Sequence, residues 1–141
     1  MVRLVLPLLL IAGCAGGMWV PDGYYFSIPA QGFQDMPIPP FDFVVVPGKT
    51  FAYVCPVDPQ IRVARVVLTG ESRLDDTLKF FERELPAQGF FPLRKPYRSR
   101  AIERVRLFYK KHGRDEFLFV DISREEKSVN VEMKLVTYPP E

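Results

Sequence analysis

The chain has 141 residues, and its 19 Lys and Arg against 17 Asp and Glu give a net charge of +2, which excludes a general polyanion binder. Twelve Phe and six Tyr are plentiful for this size and suit a compact β-rich core. Two cysteines, Cys14 and Cys55, exclude a disulfide framework, and the length fits one domain plus a spacer.

Residues 1–13 read as an export leader. A lone Arg3 precedes an apolar run over residues 4–11, and small residues follow it. A helix of about ten residues rises about 15 Å, half of a roughly 30 Å hydrocarbon core, so the run is not a lasting membrane span. Ile11-Ala12-Gly13-Cys14 is an aliphatic residue, two small residues and a cysteine. It resembles the lipobox of bacterial lipoproteins. The resemblance implies a diacylglyceryl group on the Cys14 thiol, cleavage between Gly13 and Cys14, and acylation of the new amino group. Two or three acyl chains anchor stably where one is marginal. Ala15, not Asp, follows Cys14, which in enterobacteria-like sorting points to the outer membrane. The expected address is therefore the cell envelope, membrane-anchored and facing the periplasm, with nucleic acid no partner.

Residues 14–40 read as a tether rich in Pro, Gly and aromatics. Pro21, Pro29, Pro37, Pro39 and Pro40 forbid a helix or central strand. Yet Trp19, Tyr24, Tyr25, Phe26, Phe33 and Met36 are more apolar than a disordered spacer requires. The part from Phe33 onward is expected to pack on the domain. The Trp19 and Tyr24 clusters suit either lipid headgroups or the domain itself.

A single domain over residues 41–141 follows. Residues 41–46, 51–55 and 62–69 read as strands punctuated by Pro47-Gly48, Pro56, Pro59 and Gly70. Cys55 sits in an apolar stretch and reads as a small buried hydrophobe, with an intermolecular disulfide or a reactive thiol as alternatives. A helix follows, with Ser72 expected as its cap and Asp75 completing a capping box. Leu74, Leu78, Phe81 and Leu85 form its apolar stripe. Pro86 is expected to disturb its last turn and Gly89 to stop it.

The remainder reads as sheet. Residues 90–93 form a short strand. Residues 103–110 alternate, with Val105, Leu107 and Tyr109 on one face and Arg104, Arg106, Phe108 and Lys110 on the other. A turn at 111–115 leads to a strand over 116–123. There Leu118, Val120 and Ile122 oppose Phe117 and Phe119, so either both faces are covered or the tether lies on one. Residues 128–137 point Val129, Val131, Met133 and Leu135 inward. The predicted class is α+β, a mostly antiparallel sheet with a single amphipathic helix packed on one face.

Three stretches together carry a further resemblance: Gly32-Phe33-Gln34-Asp35-Met36-Pro37-Ile38-Pro39, the helix closing Leu85-Pro86 with Gly89-Phe90, and Leu107-Phe108-Tyr109-Lys110. They resemble a group of small bacterial envelope lipoproteins over roughly residues 32–137. The resemblance implies location and fold, and carries no catalytic residue.

Chemistry-bearing residues are sparse. His112, the only histidine, lies in a turn between Lys111 and Gly113, a poor metal site. No nucleophilic triad, dinucleotide fingerprint or phosphate loop is present. Asp75 and Asp76 read as helix-dipole partners, and Asp121 as the partner of a strand Arg or Lys. No catalytic residue, metal site or cofactor is expected. The feature above background is charge. Between 94 and 114, nine cations (Arg94, Lys95, Arg98, Arg100, Arg104, Arg106, Lys110, Lys111 and Arg114) face one acid, Glu103. Arg98, Arg100, Arg104, Arg106, Phe108 and Lys110 are the candidate contact for an anionic headgroup or an envelope protein. A solvated edge strand protected by its charges is the competing reading. The expected role is a lipid-anchored, non-catalytic binding or structural protein. The alternative is a carrier of lipid or amphiphile in a cavity between helix and sheet.

Overall fold

The computed structural model describes residues 32–40, 43–46, 48–99 and 101–138. Eight strands form one antiparallel sheet: β1 (Val44–Val45), β2 (Phe51–Val54), β3 (Arg62–Gly70), β4 (Phe90–Pro92), β5 (Tyr97–Ser99), β6 (Arg104–Lys111), β7 (Glu116–Glu125) and β8 (Ser128–Thr137). The one helix among the described residues, α1 (Leu74–Ala87), joins β3 to β4. The sheet order is β1-β3-β8-β7-β6-β4, with β2 also on β3 and β5 also on β6. β1 with β2, and β4 with β5, thus make the two edges. This is the expected α+β architecture.

The period of two sorts the strands. Ala64, Val66 and Leu68 of β3, Val129 to Leu135 at alternate positions of β8, Leu118, Val120 and Ile122 of β7, and Val105, Leu107 and Tyr109 of β6 are buried on one face. Leu78, Phe81 and Leu85 of α1 close over them and are also buried. Together these side chains form one core cluster between helix and sheet. Phe33 and Met36 are fully buried in the same core. The folded unit therefore begins before the boundary expected at residue 41, and the expectation that the chain packs down from Phe33 holds.

Two local expectations need correction, at Ser72 and at residues 97–99. Ser72 does not cap α1: the N-cap is Arg73, extended at φ −97° and ψ 143°, with no side-chain cap bond. Ser72 lies one residue early, and its Oγ accepts from the buried Thr77 hydroxyl at 3.3 Å. Pro86 disturbs the end of α1, as expected. It sits in the final turn, where its missing N–H forfeits one ladder bond, and the helix runs to Ala87. Gly89, at φ +87°, then reverses the chain and donates to Pro86 O at 3.0 Å. Lastly, residues 97–99 form a strand in the basic stretch where none was expected.

Candidate functional site: the open face of the sheet

The face of the sheet away from α1 is built from the alternate residues of the same strands. Their register arranges them in rows. The first row runs Tyr53, Val63, Val136, Phe117, Lys110, Phe91. The second runs Phe51, Arg65, Lys134, Phe119, Phe108. The third runs Val67, Glu132, Asp121, Arg106, Tyr97, and the fourth Thr69, Asn130, Ser123, Arg104, Ser99. The face therefore grades from apolar through mixed to polar along the strands.

An aromatic stack occupies its middle. Phe108 lies between Phe119, with centroids 4.6 Å apart, and Phe117, at 5.8 Å, the rings near parallel. Tyr138 meets Phe117 edge-on at 5.6 Å. The Arg94 guanidinium lies 5.3 Å from the Phe108 centroid, where a cation is drawn to the negative face of the ring. Phe119 is 41% exposed. Beside the stack a hollow of about 500 Å³ opens, lined by Arg94, Arg106, Phe119, Asp121, Glu132 and Lys134 among others. Its floor is ionic. Asp121 accepts from Arg104 Nε at 2.9 Å and pairs with Arg106 Nε at 3.5 Å. Glu132 lies 3.1 Å from Lys134 Nζ and 3.3 Å from Arg65 Nε. Partial burial raises the Glu132 pKa, but Lys134 and Arg65 outweigh that and hold its carboxyl below the ordinary range.

The basic candidates do not form one patch. Arg104, Arg106, Phe108 and Lys110 share the open face, as expected. Arg98 pairs in register with the buried Val105, which sets it on the helix side, where it meets Asp75 at 3.3 Å. Arg104 and Arg106 are largely answered by Asp121. β6 itself is not an edge strand, since it lies between β7 and the β4–β5 edge; within the basic stretch it is β5, with Arg98, that lies at the edge. Cys14 and Arg100 lie outside the described residues. His112 is exposed in its turn, 6.3 Å edge-on from Phe91. Cys55 is half-buried and in no disulfide.

At the apolar end of the sheet, on the opposite face, lies a charge cluster that sequence reasoning missed. Arg62 Nε and Nη2 donate to Glu116 Oε2 and Oε1 at 2.8 and 2.6 Å. Arg62 Nη1 also donates to Asp35 Oδ1 and to the Gly32 carbonyl, both at 2.7 Å. Lys111 Nζ donates to Asp35 Oδ2 at 2.8 Å and to Gln88 O at 2.6 Å. Thr137 Oγ1 stands 2.8 Å from Glu116 Oε2. Burial raises the Asp35 pKa, but hydrogen bonds from Arg62 and Lys111 outweigh it and hold the carboxyl below its ordinary value. Every charge here has a partner of opposite sign. The cluster is a clasp that fastens residues 32–36 to the sheet. Asp35, Gly89 and Phe90, which carry part of the lipoprotein resemblance, all serve this end of the fold.

Among the described residues, no group of three or more His, Cys, Asp or Glu is placed to hold a metal. No family model matches the chain, and no curated protein does. Among solved structures, a protein of unknown function from Pseudomonas aeruginosa is similar, at 14% identity over 86% of this chain and 83% of that one, with a TM-score of 0.41. That likeness carries no functional argument.

Proposed function

We propose that the protein is a lipid-anchored, non-catalytic binding module of the cell envelope, attached through acylated Cys14 and engaging an envelope partner through the open face of its sheet. One observation carries the reading: three rings, Phe117, Phe108 and Phe119, stack on the face that α1 leaves bare, with Arg94 over Phe108. Water normally disfavours such a cluster, and exposed apolar patches rimmed by polar residues mark interaction sites. Arg with aromatic rings is also the composition of interface anchors. Its ionic rim, Arg106, Asp121, Glu132 and Lys134, suits a partner of mixed charge better than a uniformly acidic one. The enzyme reading gains nothing, since His112 is a turn residue and the carboxylates of Asp35, Asp121 and Glu132 are held by cations.

The test is a photoreactive residue at position 119, introduced in cells with the anchor intact. A discrete adduct is expected, absent when the probe sits at Lys79 on the exposed side of α1 and lost with Arg94→Ser. Equal labelling from positions 79 and 119 would defeat the proposal.

A further inference from the structure

We infer a second contact, which adjoins the open-face site at Phe117 and Tyr138: the clasp end of the domain is a docking surface for the interfacial region of a phospholipid bilayer. The first observation is the gradient along the sheet. The row nearest the clasp is almost wholly apolar, the fourth is polar, and the change runs along the strand direction. The second is what the loops add at that end. Val57, in the connection from β2 to β3, is 91% exposed, and Tyr138, just past β8, is 59% exposed. Tyr53 and Phe91 of the first row are 40% and 39% exposed. An aliphatic tip with tyrosines around it is the composition that settles at a lipid–water boundary, where an amphipathic ring finds both media.

The third observation is where the chain goes. Gly32 is pinned at this same end, its carbonyl held by Arg62 and its neighbour Asp35 by Arg62 and Lys111. The described part of the fold nearest in sequence to Cys14 is therefore this end. Charge at this end is balanced: Lys110 and Arg114 are matched by Asp58 and Asp115. The attraction is then apolar, and little of it is lost to salt.

This inference rests on the anchored reading only for the role of Cys14, and its test removes the anchor so that the two fail separately. The chain from residue 14 with Cys14→Ser keeps every described residue and is sedimented with vesicles of equal parts phosphatidylcholine and phosphatidylglycerol. Co-sedimentation is expected at both 0.1 and 0.5 M salt. Val57→Asp is expected to weaken it about tenfold, the loss of one buried aliphatic side chain, and Tyr138→Ser to weaken it too. Ile102→Asp is the matched control, since Ile102 is 55% exposed at the opposite end, between β5 and β6. That variant should bind unchanged. The inference is overturned if the chain stays in the supernatant, if Val57→Asp binds like the parent, or if Ile102→Asp loses as much. All three substitutions are at exposed positions, and unaltered melting temperatures identify them as folded. A captured partner at position 119 without vesicle binding would leave the open-face reading standing and remove this one.

Discussion

Arg62 on β3 and Glu116 on β7 are joined by two hydrogen bonds across the intervening β8, with Glu116 fully buried. Arg62, Thr137, Glu116 and Lys111 make up the last row of the core face. An ionic row thus closes a sheet whose central core rows are apolar. Removing one partner strands a buried charge, so Glu116→Ala is expected to cost about 3–5 kcal/mol. Urea unfolding of Glu116→Ala, of Arg62→Met and of the pair together measures this. The double variant should lose less than the two singles summed, because the row's charges act as a unit.

Asp35 gives the clasp a pH dependence. Its carboxyl is held below the ordinary aspartate value in the folded chain by Arg62 and Lys111. A lowered acid contributes stability that is fully present above its unfolded pKa and lost as pH falls through the folded one. Stability should therefore decline from about pH 4 downward, and Asp35→Asn should flatten that decline while lowering stability at pH 7. Thermal melts of both chains from pH 7 to pH 2.5 show it.

Gly70 sits where a side chain has no room. A Cβ there would come within 2.8 Å of the ring of Phe43, which is buried. Gly70→Ala is expected to destabilise by about 1–3 kcal/mol through overpacking. A drop in melting temperature measures it, and a stable variant would mean that Phe43 moves freely.

The absent cap on α1 is equally testable. A serine that caps a helix loses about 1 kcal/mol on replacement by alanine. Ser72 meets only the Thr77 hydroxyl, at 3.3 Å, so Ser72→Ala should fall within about 0.5 kcal/mol of the parent. Phe81→Ala, which empties the centre of the helix–sheet core, should lose about 3–5 kcal/mol.

Much of this fold was legible in the sequence because alternation is strict wherever one face of a strand is buried. β6, β7 and β8 declared both faces. α1 declared its stripe through Leu78, Phe81 and Leu85. β5 was hidden because Tyr97 and Arg98 are exposed and Ser99 half-buried, so no period-two signal exists. The clasp was hidden for a different reason: charged residues at strand ends read as solvated flanks. A signal was nonetheless there. Arg62 is in phase with Ala64, Val66 and Leu68, and Glu116 with Leu118, Val120 and Ile122. Two opposite charges in phase with core residues predict a buried pair. Asp35 had no such phase, since prolines surround it. Of the candidate site, Phe108 and its cationic neighbours on β6 were found. The stack with Phe119 depends on the β6–β7 register, which sequence alternation alone does not provide.

The most direct test of the anchored module is intact mass together with membrane fractionation of the expressed protein beside Cys14→Ser. The proposal predicts that the parent starts at Cys14, carries acyl mass and sediments with membrane, while Cys14→Ser keeps its leader and carries none. A parent recovered with residues 1–13 attached and Cys14 unmodified would contradict it.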